Sequence, residues 1–248
     1  MSRVVIQCGW KDVPHLTDEM INKMMDGMLP HLKEARMNGT PSLGSGAIYP
    51  VPEEDIVYDG SQLKLDDAWP RAFGLDVGWK KTAGIWGAHD TENDIIYLYS
   101  EHYRGYAEPA VHASACKTRG DWIPCIIDSA AHGSNQENGR KLFKLYLDEG
   151  LNCINARKGV DAGLLTVFQR LSTGRLKIEK NLVSWLSEYR IYRRDDKGIV
   201  VKENDHLMDA TRYLVMGTDS FQQIPVDLYK SKHAPASCQT EYDPFANL

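Results

Sequence analysis

The chain has 248 residues, 42% of them hydrophobic and 25% charged, an ordinary globular composition that allows one large domain or one domain with an appendage. The formal net charge of −5 argues against binding nucleic acid by bulk charge alone, while leaving room for a local basic surface. No apolar run approaches the ~18 residues of a membrane span, and the first residues lack the apolar core of a signal peptide, so an aqueous protein is expected. Five cysteines without C-x-x-C spacing indicate neither a zinc knuckle nor a disulfide framework, and a reducing compartment follows.

Residues 1–70 read as an N-terminal helical linker segment. Residues 4–6 form a short apolar strand, and Thr17 can cap a helix that Pro30 interrupts before it reaches Met37. A Gly- and Ser-rich loop follows, then an extended acidic connection over 50–67.

The pattern changes at Arg71. Strands are expected over 71–77, 82–88 and 94–103, with a turn at 78–81 and a hairpin loop at 90–93. Helix 108–119, strand 123–128, helix 135–149 and strand 151–155 alternate next. A helix over 161–172, a strand over 175–178 and a helix from Leu182 follow. Residues 189–194 and 199–202 flank a hairpin turn, and Asn204 can cap a last helix running to Met216. Residues 218–248 read as a flexible C-terminal tail. Three meandering strands followed by alternating helices and strands fit an α/β fold, an open mixed sheet with helices on both faces.

Three aspartates stand out, each on an apolar element: Asp76 in FGLDVG, Asp128 in IIDS and Asp209 in NDHLMDA. On a strand, Leu75 and Val77 share one face and Asp76 points to the other. If the strands ending at Asp76 and Asp128 are neighbours, their ends bring the carboxylates together. Asp205 and Asp209 stand four apart and share a helix face. Taken singly, each has a plainer reading: turn former or cap for the strand-end residues, dipole-favoured first-turn residue for Asp205. Jointly they suggest an acidic pocket that a cation must neutralise. Three or four convergent carboxylates suit two-metal phosphoryl transfer with Mg²⁺ or Mn²⁺.

Around these acids, His132 can shuttle a proton or contact phosphate, or be an idle loop residue. His206 adjoins the acidic pair, but helical geometry turns it away from the Asp205/Asp209 face. Lys80 and Lys81 follow the first strand and can meet phosphate. The stretch RIYRRDDKGIVVK (190–202) offers Arg190, Arg193, Arg194, Lys197 and Lys202, with an interleaved tyrosine, to a nucleic-acid backbone; an ordinary solvated hairpin is the alternative.

These motifs resemble a known family. GLDVGW (74–79), IDS (127–129) and DHLMDATRY (205–213) are similar to the three acidic motifs in the nuclease domain of large terminase subunits from tailed double-stranded DNA bacteriophages. The segments WKDVPHL (10–16) and ARMNGTPSLGSGAIY (35–49) resemble the join between packaging ATPase and nuclease. The resemblance covers roughly residues 4–217. It implies an RNase H-like (retroviral-integrase-type) fold over 71–217 and a metal-dependent endonuclease cutting concatemeric viral DNA during packaging. Asp76, Asp128 and Asp209 match the catalytic, metal-binding acids, and Asp205 matches an additional acid that some members carry. Lys81 and His132 are candidate auxiliaries. Two Mg²⁺ or Mn²⁺ ions are implied as cofactors. Double-stranded DNA, the portal protein, the small terminase subunit and the ATPase half are implied as partners, in the host cell cytoplasm and with no membrane.

No G-x-x-x-x-G-K-[ST] motif occurs, so the family's ATP-driven motor half is missing. An excised nuclease domain is expected, with Met1 an engineered or secondary start, that cuts DNA without translocating it. Two other readings stay open. GLDVGWKKT (74–82) also resembles the first phosphate loop of actin/sugar-kinase proteins, although no second phosphate loop or adenosine-binding segment is visible. A non-catalytic docking module for portal or small-subunit partners is the other.

Overall fold

A computed structural model describes residues 9–25, 37, 46–128, 136–195 and 198–233, with only the backbone of Lys11 and of 136–141. The strand expected over 4–6, most of the continuation to Met37, His132, Lys197 and the tail from residue 234 lie outside the described residues.

Seven strands form one mixed sheet in the order β1-β7-β4-β3-β2-β5-β6. The centre is the antiparallel meander of β2 (Arg71–Asp76), β3 (Thr82–Asp90) and β4 (Ile95–Arg104). On one side β5 (Cys125–Ile127) and β6 (Cys153–Asn155) add in parallel to β2. On the other, β7 (Leu176–Glu179) and β1 (Val57–Tyr58) add in parallel to β4. β3 runs buried through most of its length, as expected of a strand covered on both faces.

Helix α1 (Asp18–Met25) lies in the N-terminal segment; α2 (Glu53–Ile56) is a single turn leading into β1. The expectation of an extended connection at 50–67 therefore gives way to a sheet-edge strand, with Tyr49 and Ile56 buried in the core.

Two apolar layers follow from strand alternation. Phe73, Leu75 and Val77 pack with Trp86, Cys125, Ile127 and Tyr146 under α3 (Pro109–Lys117) and α4 (Gln136–Asp148). Ala72, Ile85, Ile126 and Leu98 face the other way, under α5 (Val160–Ser172), α6 (Val183–Ile191) and α7 (His206–Met216).

Helix α7 lies on β2 with almost no spacer. A Cβ on Gly74 would collide with the Ala210 carbonyl, so only glycine admits this approach. A second close contact sets Gly217, just past the helix, against Ile126 of β5.

Two expected features differ. Residues 189–191 belong to α6, because Leu186 and Tyr189 continue its buried face, so the hairpin reduces to single bridges pairing Arg194 with Val200 and Arg193 with Ala47. Residues 218–233 depart from a featureless tail: Gln222 exchanges backbone hydrogen bonds with Arg71 at 2.8 and 3.0 Å, and α8 (Val226–Lys232) follows.

Candidate active site

Asp76 closes β2 and is 3% exposed. Leu75 pairs with Ile127 in parallel register, so Asp76 and Asp128 each stand one residue beyond that pair on adjacent strands. Neighbouring strands lie about 4.8 Å apart, which sets the two residues side by side at one sheet end. Strand alternation turns both towards the α7 face, with Gly74 and Ile126.

Helix α7 runs opposite to β2. Four helical residues rise about 6 Å and two strand residues about 6.6 Å. The step from Ala210 to His206 therefore matches the step from Gly74 to Asp76. The result is a hydrogen bond between His206 Nδ1 and Asp76 Oδ2 at 2.9 Å. That bond pushes the imidazole pKa up, against the opposing effect of burial. The helix N-terminus also brings its partial positive charge to the acidic strand ends.

The sequence expectation for His206 is corrected here. Asp205, not Asn204, holds the N-cap position, with a non-helical backbone at φ −118° and ψ 8°. Asn204 instead adopts left-handed φ 52°. Since Asp205 lies outside the helix, a helical wheel through it misplaces its neighbour, and His206 points to the Asp76 end of β2.

Asp205 and Asp209 do converge, and Lys202 joins them. Its Nζ lies 3.0 Å from Asp205 Oδ2 and 3.0 Å from Asp209 Oδ2. Against the effect of burial, Asp209 and then Asp205 push this ammonium pKa up. The other Asp209 oxygen accepts from Arg212 at 3.0 Å. Arg212 is buried beneath α5, where Gly163 leaves room for its stem.

The buried Tyr213 sits where these charges overlap. Burial first, then Asp76 and Asp209, with a further contribution from Asp128, push its hydroxyl pKa well up.

Glu188 supports the same helix from α6. One of its oxygens accepts from the Leu207 amide at 2.6 Å, and the other accepts from the Tyr103 hydroxyl at 2.7 Å. This carboxylate serves the helix N-terminus that Asp205 leaves without a side-chain cap. Burial pushes the Glu188 pKa up, opposed by the hydrogen bonds it accepts. Trp185 Nε1 donates to Thr211 Oγ1 at 2.8 Å and ties α6 to α7 one turn further on.

The basic residues divide. Lys81 stands over the Tyr103 ring at 4.1 Å, one residue from β3, and Lys80 is exposed beside it. Arg193 is exposed. Arg190 is engaged with Glu53 at 2.6 and 2.7 Å, and Arg194 Nη1 donates to the Gly198 carbonyl at 2.8 Å. Lys202 lies within the acidic cluster.

The donor set is all oxygen and suits a hard divalent cation. Among the described residues, no three His, Cys, Asp or Glu side chains already surround a common metal position. Lys202 and Arg212 instead supply the cationic charge beside Asp209. The cluster therefore fits the group in charge and chemistry, with Asp209 held by two cationic side chains. Among the described residues, no helix is long and apolar enough to cross a membrane.

A mixed sheet in this order, with an acidic strand end under a packed helix, defines an RNase H-like nuclease-domain fold. Residues 73–217 match the Terminase RNaseH-like domain family, and the chain belongs to that family. It is similar to the large terminase subunit of Salmonella phage P22, at 28% identity over 242 residues, covering 93% of this chain and 47% of that protein. The corresponding subunit of Enterobacteria phage LP7 is 28% identical over 223 residues, covering 86% and 46%. The chain thus spans about half the length of the curated relatives it matches.

Among solved structures, the P22 large terminase nuclease domain superposes with a TM-score of 0.68 at 26% identity, covering 73% of this chain and 96% of that one. The large terminase nuclease from thermophilic phage G20c, with bound magnesium, gives 0.52 at 12% identity, covering 69% and 97%, and supports the fold. The SPP1 large terminase nuclease domain, with bound Mn, gives 0.50 at 20% identity, covering 66% and 97%. Membership of this family sets aside the sugar-kinase reading of residues 74–82.

Proposed function

We propose that this chain is a metal-dependent endonuclease that cuts concatemeric viral double-stranded DNA during genome packaging. The observation that carries the reading is that Asp76 and Asp128 follow paired residues on adjacent strands, while the helix bearing Asp209 is tied to Asp76 through His206. Membership of the terminase nuclease family supports the substrate, and the metal-bound relatives support the cofactor.

Asp76, Asp128 and Asp209 would hold two Mg²⁺ or Mn²⁺ ions, with Asp205 assisting at the second. Ions bound there would polarise the scissile phosphate and lower the pKa of the attacking water. His206 orients Asp76 by donating to one of its oxygens. Lys202 and Arg212 offset the charge of Asp209, and with a cation bound Lys202 would be free to turn towards solvent or phosphate. Glu188 fixes the first turn of α7, so His206 and Asp209 keep their positions. Lys80, Lys81 and Arg193 supply phosphate contacts, which position the duplex without reading bases. The portal protein, the small terminase subunit and an ATPase half are the proposed partners, in the host cytoplasm.

Plasmid cleavage tests the reading directly. The purified chain should nick and linearise DNA across a Mn²⁺ titration and stop on addition of EDTA. Asp76→Asn, Asp128→Asn and Asp209→Asn should each reduce cleavage by at least about 100-fold, beyond the 10–100-fold typical of residues that only support a metal ligand. Full activity in Asp76→Asn would sink the metal assignment. A chain that binds packaging partners yet cuts nothing would be a docking module.

A further inference from the structure

The sheet end that carries Asp76 has a second feature. The turn leaving β2 and the turn leaving β4 lie side by side because Thr82 and Arg104 are cross-strand partners. The Tyr106 amide donates to the Trp79 carbonyl at 2.9 Å. Gly105 lies so close to the Lys80 carbonyl that a Cβ would collide with it. The first turn is closed on itself by the Thr82 hydroxyl, which donates to the Gly78 carbonyl at 3.0 Å. Tyr106 is held at φ 54°, a left-handed conformation unfavourable for a bulky residue.

This clasp presents two aromatic rings to solvent. Trp79 and Tyr106 meet edge to face, 6.3 Å between centroids. They are 62% and 71% exposed, the two most exposed aromatic side chains among the described residues. Core packing does not account for them, yet the backbone beneath them is fixed. Exposed Lys80 and Arg104 flank the rings, and Lys81 is half-buried behind them; exposed Glu108 is the nearby acid in sequence. The tip therefore carries a local positive surplus on a chain of net charge −5.

We propose that Trp79 and Tyr106 form a rigid aromatic tip that packs into a groove of duplex DNA beside the cut site, while Lys80 and Arg104 hold the flanking phosphates. Aromatic faces suit sugar and base edges without regard to sequence, and the cations suit the backbone. Duplex DNA is the occupant because the tip begins three residues after Asp76, so a strand reaching the carboxylates passes it. The inference rests on the nuclease reading for the position of the cut.

The test is anisotropy of a short fluorescein-labelled duplex with the full chain, in EDTA at low salt, so binding is read without cleavage. Trp79→Ala/Tyr106→Ala should raise Kd by about tenfold or more and leave the slope of log Kd against log salt unchanged. Lys80→Gln should instead reduce that slope by about 1. Trp79→Gln alone keeps the backbone clasp and should weaken binding about threefold, which covers the case of a poorly folded double variant. Affinities of both variants within twofold of wild type would overturn the proposal. So would failure of the wild-type chain to bind duplex, which would assign the tip to a protein partner. Plasmid cleavage in Mn²⁺ judges the nuclease reading separately: ring-dependent binding without cleavage retires the nuclease and keeps the tip.

Discussion

His206 Nδ1 lies 2.9 Å from Oδ2 of Asp76, across the contact between the first turn of α7 and the last residue of β2. The bond selects one carboxylate oxygen and leaves the ring nitrogen Nε2 facing away from it. His206→Ala should therefore lower Mn²⁺ affinity and plasmid cleavage by about 10–100-fold, the range for partners that orient metal ligands. Calorimetric Mn²⁺ titration separates this from a fold defect, which would appear as a lowered melting temperature. Unchanged Mn²⁺ affinity would remove His206 from the site.

Lys202 stands between Asp205 and Asp209, with its side chain 59% exposed. Solvent screens such a pair, so its worth is on the order of 1 kcal/mol. Lys202→Met should lower the melting temperature in EDTA by roughly 2–4 °C, because Asp205 then loses its cationic partner and Asp209 keeps only Arg212. Added Mg²⁺ should raise the variant's melting temperature more than that of wild type. Equal metal-induced shifts would show that Lys202 and the metal do not compete. Asp205→Asn should move the Mn²⁺ dependence of cutting to higher concentration before cutting is lost.

Gly74→Ala places a methyl group against the Ala210 carbonyl, a backbone atom that cannot move alone. Helix α7 must shift or the strand must bend, at a cost of about 1–3 kcal/mol. Because Asp209 rides on that helix, cleavage should fall more than the stability loss alone predicts. Denaturant unfolding and plasmid cleavage, measured at a temperature where the variant stays folded, check the two effects.

His102 and His112 share a buried hydrogen bond of 2.8 Å between β4 and α3, away from the acidic cluster. Burial, then the neighbouring His112, pushes the His102 pKa down to about 4; burial also lowers His112. The unfolded chain takes up these protons near pH 6.5. Their contribution to stability is therefore complete above pH 6.5 and declines as pH falls towards about 4. The loss should be on the order of 2 kcal/mol, or about 4–8 °C. His102→Gln should flatten the fall in melting temperature across that window. An unchanged slope would assign acid sensitivity elsewhere.

The acids were legible because each sits at the polar end of an apolar element, and strand alternation states which way it points. Asp76 is opposite in direction to Leu75 and Val77, as both cores require. The meander and the alternating helices were legible from periodicity for the same reason. His206 was misread, and the contact of Lys202 with the acidic pair went unseen, because their directions are set outside regular structure. Lys202 precedes the helix by a turn containing the left-handed Asn204, and Asp205 caps rather than joins α7. No periodic rule carries a side-chain direction through such a turn. Arg190 was misplaced because α6 continues through residues that a hairpin pattern claimed.

By itself the sequence determined the central meander, the alternating helices and strands after it, the faces they bury and the carboxylates at their ends, because these depend on local spacing and polarity. Tertiary structure alone decided what meets those carboxylates. Gly74 lets α7 lie directly on β2, and that single close approach sets His206 on Asp76 and Asp209 near the same strand end. Contacts between residues 130 positions apart arise from packing, and packing is a property of the assembled layers, not of any one stretch of chain.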